Sequence, residues 1–196
     1  MSIFDQLKNK AQTAARSTMQ SAAQSVGRNL GSQRETFTFA ALPESVAQLQ
    51  ALPEAAMDTP FKTAALTVCA LCAFAAAPEI GTEMLNFLRG PRPLNGQDIS
   101  FMKDRFRGDR SYIIFSYFGG ATPENNYTPS QPYTVTVTSD PHSYDEDNYA
   151  RLYVACGGAD SPRPIKLRRK GDGQWCLWEQ YLLTDIRTPK ANDPWS

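Results

Sequence analysis

Residues 64–77, Ala-Ala-Leu-Thr-Val-Cys-Ala-Leu-Cys-Ala-Phe-Ala-Ala-Ala, form an uncharged run in which Thr67 is the only strongly polar side chain. A membrane-spanning helix needs about 20 apolar residues, so this run is too short to cross a bilayer. It predicts a buried core helix over residues 60–77. Asp58 or Thr59 is its cap, Pro60 its first residue and Pro78 its stop. A helix that is apolar on every side has no face to give to water, so other elements must surround it.

The elements available to do so follow from patterning. Thr36-Phe37-Thr38-Phe39 alternates as a strand does. Pro43 opens a helix with Val46, Leu49 and Leu52 on its apolar side, and Leu42-Pro43-Glu44 and Leu52-Pro53-Glu54 read as two helix starts. Pro78 starts a further helix, with Ile80, Met84, Leu85 and Leu88 on one face, until Gly90 ends it. Pro91-Arg92-Pro93 is a stiff connector, and Ile99, Met102 and Phe106 give a helix over residues 96–107. From residue 111 the pattern turns to β-branched and aromatic residues. Strands are predicted at 112–118, 133–138, 151–156, 165–169 and 175–179, with Lys170-Gly171-Asp172-Gly173-Gln174 as a hairpin loop and residues 181–186 extending or closing the sheet. Helices over about 43–107 followed by strands over about 111–186, without β-α-β alternation, predict an α+β domain. N-terminal helices pack on a C-terminal antiparallel β-sheet, preceded by a basic leader helix.

Twenty Lys and Arg balance twenty Asp and Glu, which argues against a globally basic nucleic-acid binder. The neutrality is a cancellation. Residues 1–34 carry Lys8, Lys10, Arg16, Arg28 and Arg34 against Asp5, whereas residues 35–90 carry six acids against Lys62 and Arg89. The chain divides accordingly into a basic amphipathic leader, residues 1–34, and a single domain, residues 35–196. Phe4, Leu7, Lys8, Lys10 and Arg16 are the candidate partner-binding residues, directed at a protein or an anionic membrane surface. The amino terminus lacks the apolar segment of a signal peptide, and four cysteines are too few for a disulfide framework, so a cytoplasmic chain with reduced thiols is expected, with no transmembrane segment.

Candidate chemistry is sparse. Cys69 and Cys72 have the spacing of a dithiol motif or half a zinc site, but they lie inside an apolar helix rather than at its start and read as core residues. Cys156 and Cys176 read as positions on adjacent strands. The lone histidine, His142, excludes a multi-histidine metal site and sits in an acidic loop, Ser139-Asp140-Pro141-His142-Ser143-Tyr144-Asp145-Glu146-Asp147, that reads as solvated. No nucleophile-elbow motif accompanies it. Arg163, Lys166, Arg168, Arg169 and Lys170, with Trp175 and Trp178 on the hairpin partner, could suit single-stranded nucleic acid. The two tryptophans should face opposite sides of the strand, so edge protection is the preferred reading and nucleic acid is disfavoured as a partner. No metal or cofactor is assigned.

Three segments carry a family resemblance: Phe37-Thr38-Phe39-Ala40-Ala41-Leu42-Pro43-Glu44, Asp58-Thr59-Pro60-Phe61-Lys62-Thr63-Ala64-Ala65-Leu66, and Gly119-Gly120-Ala121-Thr122-Pro123-Glu124-Asn125-Asn126-Tyr127. Together they resemble an uncharacterised single-domain family of gut-type Gram-positive bacteria, a domain of unknown function without an established activity. The resemblance implies a bacterial source and one domain over about residues 35–195. The functional expectation is a non-catalytic protein-interaction module whose leader helix engages a partner or membrane surface. The alternative is a small-molecule-binding or hydrolytic protein with a pocket near the 119–127 loop, where Thr122, Glu124, Asn125, Asn126 and Tyr127 are the candidate ligand-binding residues. For that alternative the nuclear-transport-factor-like cone is a fold-level analogy, with a pocket between sheet and helices.

Overall fold

The computed structural model describes residues 32–194. Among them, β1 (Arg34–Phe39), β2 (Tyr133–Thr138), β3 (Tyr149–Val154), β4 (Arg163–Arg169) and β5 (Trp175–Gln180) form one antiparallel sheet in the order β1-β2-β3-β4-β5. The helices α1 (Val46–Gln50), α2 (Pro60–Ala76), α3 (Pro78–Arg89), α4 (Gly96–Arg105) and α5 (Tyr112–Phe115) all fall between β1 and β2 in the chain. The fold is α+β, with one strand ahead of the helices. The leader, including Phe4, Leu7, Lys8, Lys10 and Arg16, lies outside the described residues.

The apolar run is α2. Thr59 caps it by accepting a hydrogen bond from the Lys62 amide, and Pro60 occupies the first turn, where no backbone donor is needed. Thirteen of its seventeen residues are buried, so it is enclosed on all sides. It lies across all five strands, against Phe37 and Phe39 of β1, Val135 and Val137 of β2, Leu152 and Val154 of β3, Ile165 and Leu167 of β4, and Leu177 of β5. Its buried hydroxyls are satisfied: Thr63 donates to the Trp175 carbonyl and Thr67 to the Thr63 carbonyl.

On the side away from the sheet, α3 packs against α2. Pro78 cannot continue the α2 hydrogen-bond ladder, and Ala77 is extended, so the chain turns sharply into α3. Gly81 then allows a very close approach: a Cβ there would sit 2.1 Å from Phe74 Cα. Met84, Leu85 and Leu88 complete the contact as buried side chains. α4 starts at a reciprocal capping box between Asn95 and Asp98.

Several elements differ from the sequence reading. Residues 112–118, predicted as a strand, form α5 and a following turn, and only Phe118 bridges to Val135 of β2. Burial overrides β-propensity here. Ile113 and Ile114 are buried, Tyr117 donates to the Leu182 carbonyl at 2.6 Å, and Ser116 donates back to the Ile113 carbonyl. Residues 181–186 leave the sheet and bury Leu182 and Leu183 against the core. α1 starts after Ser45, whose side chain accepts from the Gln48 amide, and not at Pro43; Pro53 starts a 3-10 turn, Pro53–Ala56. β4 lies between β3 and β5, so its cations protect no edge. For the same reason Cys156, just after β3, and Cys176 on β5 are not on adjacent strands, and all four thiols are free. The interface between sheet and α2 is filled by side chains of 0–9% exposure, in place of the pocket that a cone would hold.

Gly81→Ala should therefore be far costlier than an ordinary helix substitution, because backbone rather than a flexible side chain must move. A loss of about 3 kcal/mol in urea unfolding is expected, similar to Leu66→Ala. A Gly81→Ala chain within about 0.5 kcal/mol of the parent would show that α3 does not lean on Phe74 in this way.

Candidate functional site

Strand alternation sends the apolar residues to α2 and leaves the other side of the sheet to solvent. On β1 and β2 that side is a threonine lattice, in which the Thr36 and Thr136 hydroxyls lie 2.9 Å apart. On β3 to β5 it changes character. Tyr149, Arg151 and Tyr153 of β3 stand opposite Arg168, Lys166 and Pro164 of β4. A register shift between Lys166 and Leu167 marks a bulge in the β4–β5 pair. Trp178 contacts the outer-face residues Arg168 and Tyr149, whereas Trp175 packs against Tyr144 beside the core. The two tryptophans do face opposite ways.

Cations and rings interleave across this surface. Arg92 Cζ lies 4.2 Å from the Trp178 ring centre and Arg168 Cζ 4.7 Å from it, Trp178 meets Tyr149 edge-on, and Lys166 Nζ lies 4.4 Å from the Tyr149 ring centre. Such contacts are worth about 0.5–1 kcal/mol each at exposed sites, so the row is held by their sum. Arg89 fixes its far end. That guanidinium, buried under the 90–95 connector, donates from Nε to the Arg92 carbonyl and from Nη1 to the Trp178 carbonyl, and lies 3.8 Å from Asp98. Burial draws its pKa down from the ordinary arginine value while Asp98 pulls the other way.

Beside this row, the β2–β3 loop and the chain after β5 enclose an open cleft of about 670 Å³, with Tyr149, Arg151, Lys166 and Glu179 among its lining residues. Its acids are engaged: Asp145 with His142 Nδ1 at 2.9 Å, Glu146 with Lys166 at 2.6 Å, and Glu179 with the Tyr181 hydroxyl at 2.8 Å. The Glu146 bond raises the Lys166 pKa, and the Glu179 bond raises that of Tyr181. Arg92, Arg151 and Arg168 form no ion pair with any described carboxylate. The Ser143 hydroxyl bonds Asp140 and is not aligned on His142.

The 119–127 loop is organised from within. Asn125 Nδ2 donates to the Gly120 and Thr128 carbonyls, and its Oδ1 accepts from the Thr122 and Thr128 amides. Tyr127 is buried in a left-handed conformation, stacks on Tyr112 and donates to the Arg187 carbonyl. Asn126 accepts from the Ala191 amide. Thr122 and Glu124 remain at the wall of a surface cleft of about 760 Å³ with Arg187 and Lys190. Of the five candidate ligand-binding residues, the structure thus brings Thr122 and Glu124 to one cleft and uses the side chains of Asn125, Asn126 and Tyr127 in holding the loop. Sequence reading passed over Arg92, Tyr149, Arg151 and Tyr181. The signal that reveals Tyr149 and Arg151 is period-two alternation on β3 against the opposing positions of β4, which requires the register to be known.

Burial pushes the Cys69 and Cys72 thiols and the Tyr117 hydroxyl far above their ordinary pKa values, and Tyr127 up to about 12. Each keeps its proton in the fold after the unfolded chain has released it, so the folded state binds more protons in alkali and stability falls as pH rises. Urea midpoints should be flat near neutrality and drop from about pH 9 upward. A midpoint that rises between about pH 8 and pH 10.5 would contradict this. In the same range Cys69 and Cys72 should resist alkylation until the chain unfolds, whereas Cys156, partly exposed beside Ser116, should react first.

Among the described residues no helix is long and apolar enough to cross a membrane, and no three His, Cys, Asp or Glu side chains gather as metal ligands. No match was found among curated proteins or solved structures. One family model, Domain of unknown function (DUF6935), matches residues 41–190, from just after β1 through the last 3-10 turn's first residue. With three quarters of its length inside that match, and α2, the sheet from β2 to β5 and the cation–aromatic row all within it, the chain belongs to the DUF6935 family.

Proposed function

We propose that the chain is a non-catalytic interaction module of the bacterial cytoplasm, in which the folded domain carries the basic leader, residues 1–34, to a protein partner or an anionic membrane surface. The observation that carries this reading is the leader's charge, five cations against Asp5 in residues 1–34, which suits recognition. Among the described residues the buried cluster runs from Phe37 to Leu183 and includes β1, α2, α3 and the sheet. Several hydroxyls and thiols of the domain serve its structure. Thr63, Thr67, Ser116 and Tyr117 donate to backbone carbonyls, and the α2 thiols are held protonated.

A second reading, small-ligand binding near the 119–127 loop, has the cleft at Thr122 and Glu124 in its favour, with Arg187 and Lys190 on the same wall. Thermal-shift screening of anionic metabolites on the full chain tests it, since a ligand that binds only the fold raises Tm by mass action.

For the interaction reading, deletion of residues 1–31 should leave Tm within about 3 °C of the full chain and abolish binding to phosphatidylserine vesicles or to co-purifying protein. Loss of the fold on deletion, or unchanged vesicle and partner recovery, would overturn it.

A further inference from the structure

The large apolar side chains that stand exposed among the described residues are Ile80, Phe101 and Tyr181. Two of these three, Phe101 at 44% and Tyr181 at 51% exposure, line one groove of about 310 Å³ between α4 and β5. Met102 and Leu177, both nearly inaccessible, also line it, and Trp178 and Arg92 stand on its wall. The groove combines these apolar side chains with Arg89, Asp98, Glu179 and Gln180, and it ends at the cation–aromatic row. Arg105 lies over the Phe101 ring at 4.9 Å and Arg168 lies against Trp178 at 4.7 Å, so a guanidinium group stands beside each of these two lining rings.

The charges in and around the groove are unequal in what they have left to offer. Asp98 is tied into its capping box and sits near Arg89, and Glu179 accepts from Tyr181. Arg92 and Arg168 have aromatic neighbours and no carboxylate among the described residues. Pro91, Pro93 and the Arg89 bond to the Arg92 carbonyl hold the Arg92 backbone, while its guanidinium rests on Trp178 and that of Arg168 on Trp178 and Tyr149. Preorganised forks lose little entropy on binding and match carboxylates bidentately.

We infer that the α4–β5 groove is a docking site for an acidic, amphipathic segment of a protein partner, whose apolar side chains enter between Phe101 and Tyr181 while its carboxylates meet Arg92 and Arg168. The site is built from described residues alone, and its assignment does not rest on the leader reading. Single-stranded nucleic acid fits less well. The Trp178 and Tyr149 rings are already taken up by cations, which leaves no open platform for bases. A volume near 310 Å³ suits one or two apolar side chains, the size of anchor that peptide-recognition grooves take.

The test is fluorescence anisotropy on the full chain with a labelled synthetic peptide, Glu-Glu-Leu-Glu-Glu-Phe-Glu-Glu, alongside the same peptide with Ser for Leu and Phe, a Lys-for-Glu version, and a single-stranded oligothymidylate. The acidic apolar peptide should bind below about 1 mM and weaken at least about tenfold in the double variant Arg92→Gln/Arg168→Gln and about fivefold in Phe101→Ser. It should also weaken with added salt, and Arg110→Gln, on a different surface, should leave it unchanged. Deletion of residues 1–31 should have no effect on this affinity, which separates failure of this site from failure of the leader reading. Absence of binding, tighter binding of the Ser or Lys peptide or the oligothymidylate, or full affinity in the double variant with its fold intact by circular dichroism would each overturn the assignment.

Discussion

The enclosure of α2 is the constraint from which the rest of the molecule follows. A helix carrying thirteen buried residues of seventeen has no solvent face, so it must be covered by a sheet on one side and by helices on the other. The five-stranded sheet supplies the first cover with one face only, and α3 supplies the second by lying almost backbone to backbone on Phe74 at Gly81. The few polar groups inside are those whose hydrogen bonds close locally, as Thr63 and Thr67 do. The strands after residue 132 form an antiparallel meander laid along this helix, and β1, the one strand ahead of the helices, pairs with β2 at its edge.

Once one face of the sheet is committed to α2, the opposite face is free of core duty, and its composition records a different selection of side chains. Threonines on β1 and β2 give way to rings and cations on β3 to β5. There, edge-on and cation-over-ring contacts hold the long side chains against the strands. Arg89 joins the two halves. It is a buried cation whose bonds run to the connector after α3 and to β5, so the position of Arg92 over Trp178 depends on how α3 packs on α2. Core packing and the shape of the outer surface are in this way one mechanical problem.

The parts of the fold legible in the sequence were those with strong local signals: the apolar run with Thr59 and Pro60 before it, Pro78 and Gly90 bracketing α3, the alternation of β2, and the hairpin at 170–174. The segment 112–118 was misread because its β-branched and aromatic residues carry the same signature whether they pair in a sheet or are buried as a single helical turn. Only its neighbours decide, here Tyr127 stacked on Tyr112 and Leu182 bonded to Tyr117. The basic strand β4 was visible, but its place inside the sheet was not, since strand order depends on pairings across the chain. For the same reason the row from Arg92 to Lys166 could not be assembled from sequence: its members come from a helix connector and three strands. Of the 119–127 loop, the glycine-rich composition was evident, while the internal bonding of Asn125 and the burial of Tyr127 required coordinates.

Native-state hydrogen exchange at the α2 amides tests the central claim most directly. If α2 is the element on which both covers depend, the amides of Leu66, Val68, Ala70 and Leu71 exchange only through global unfolding, with a free energy equal to that from urea denaturation. Exchange of these amides through openings well below the global value, while β3 or β4 remains protected, would show that the sheet stands without the helix and would contradict the account.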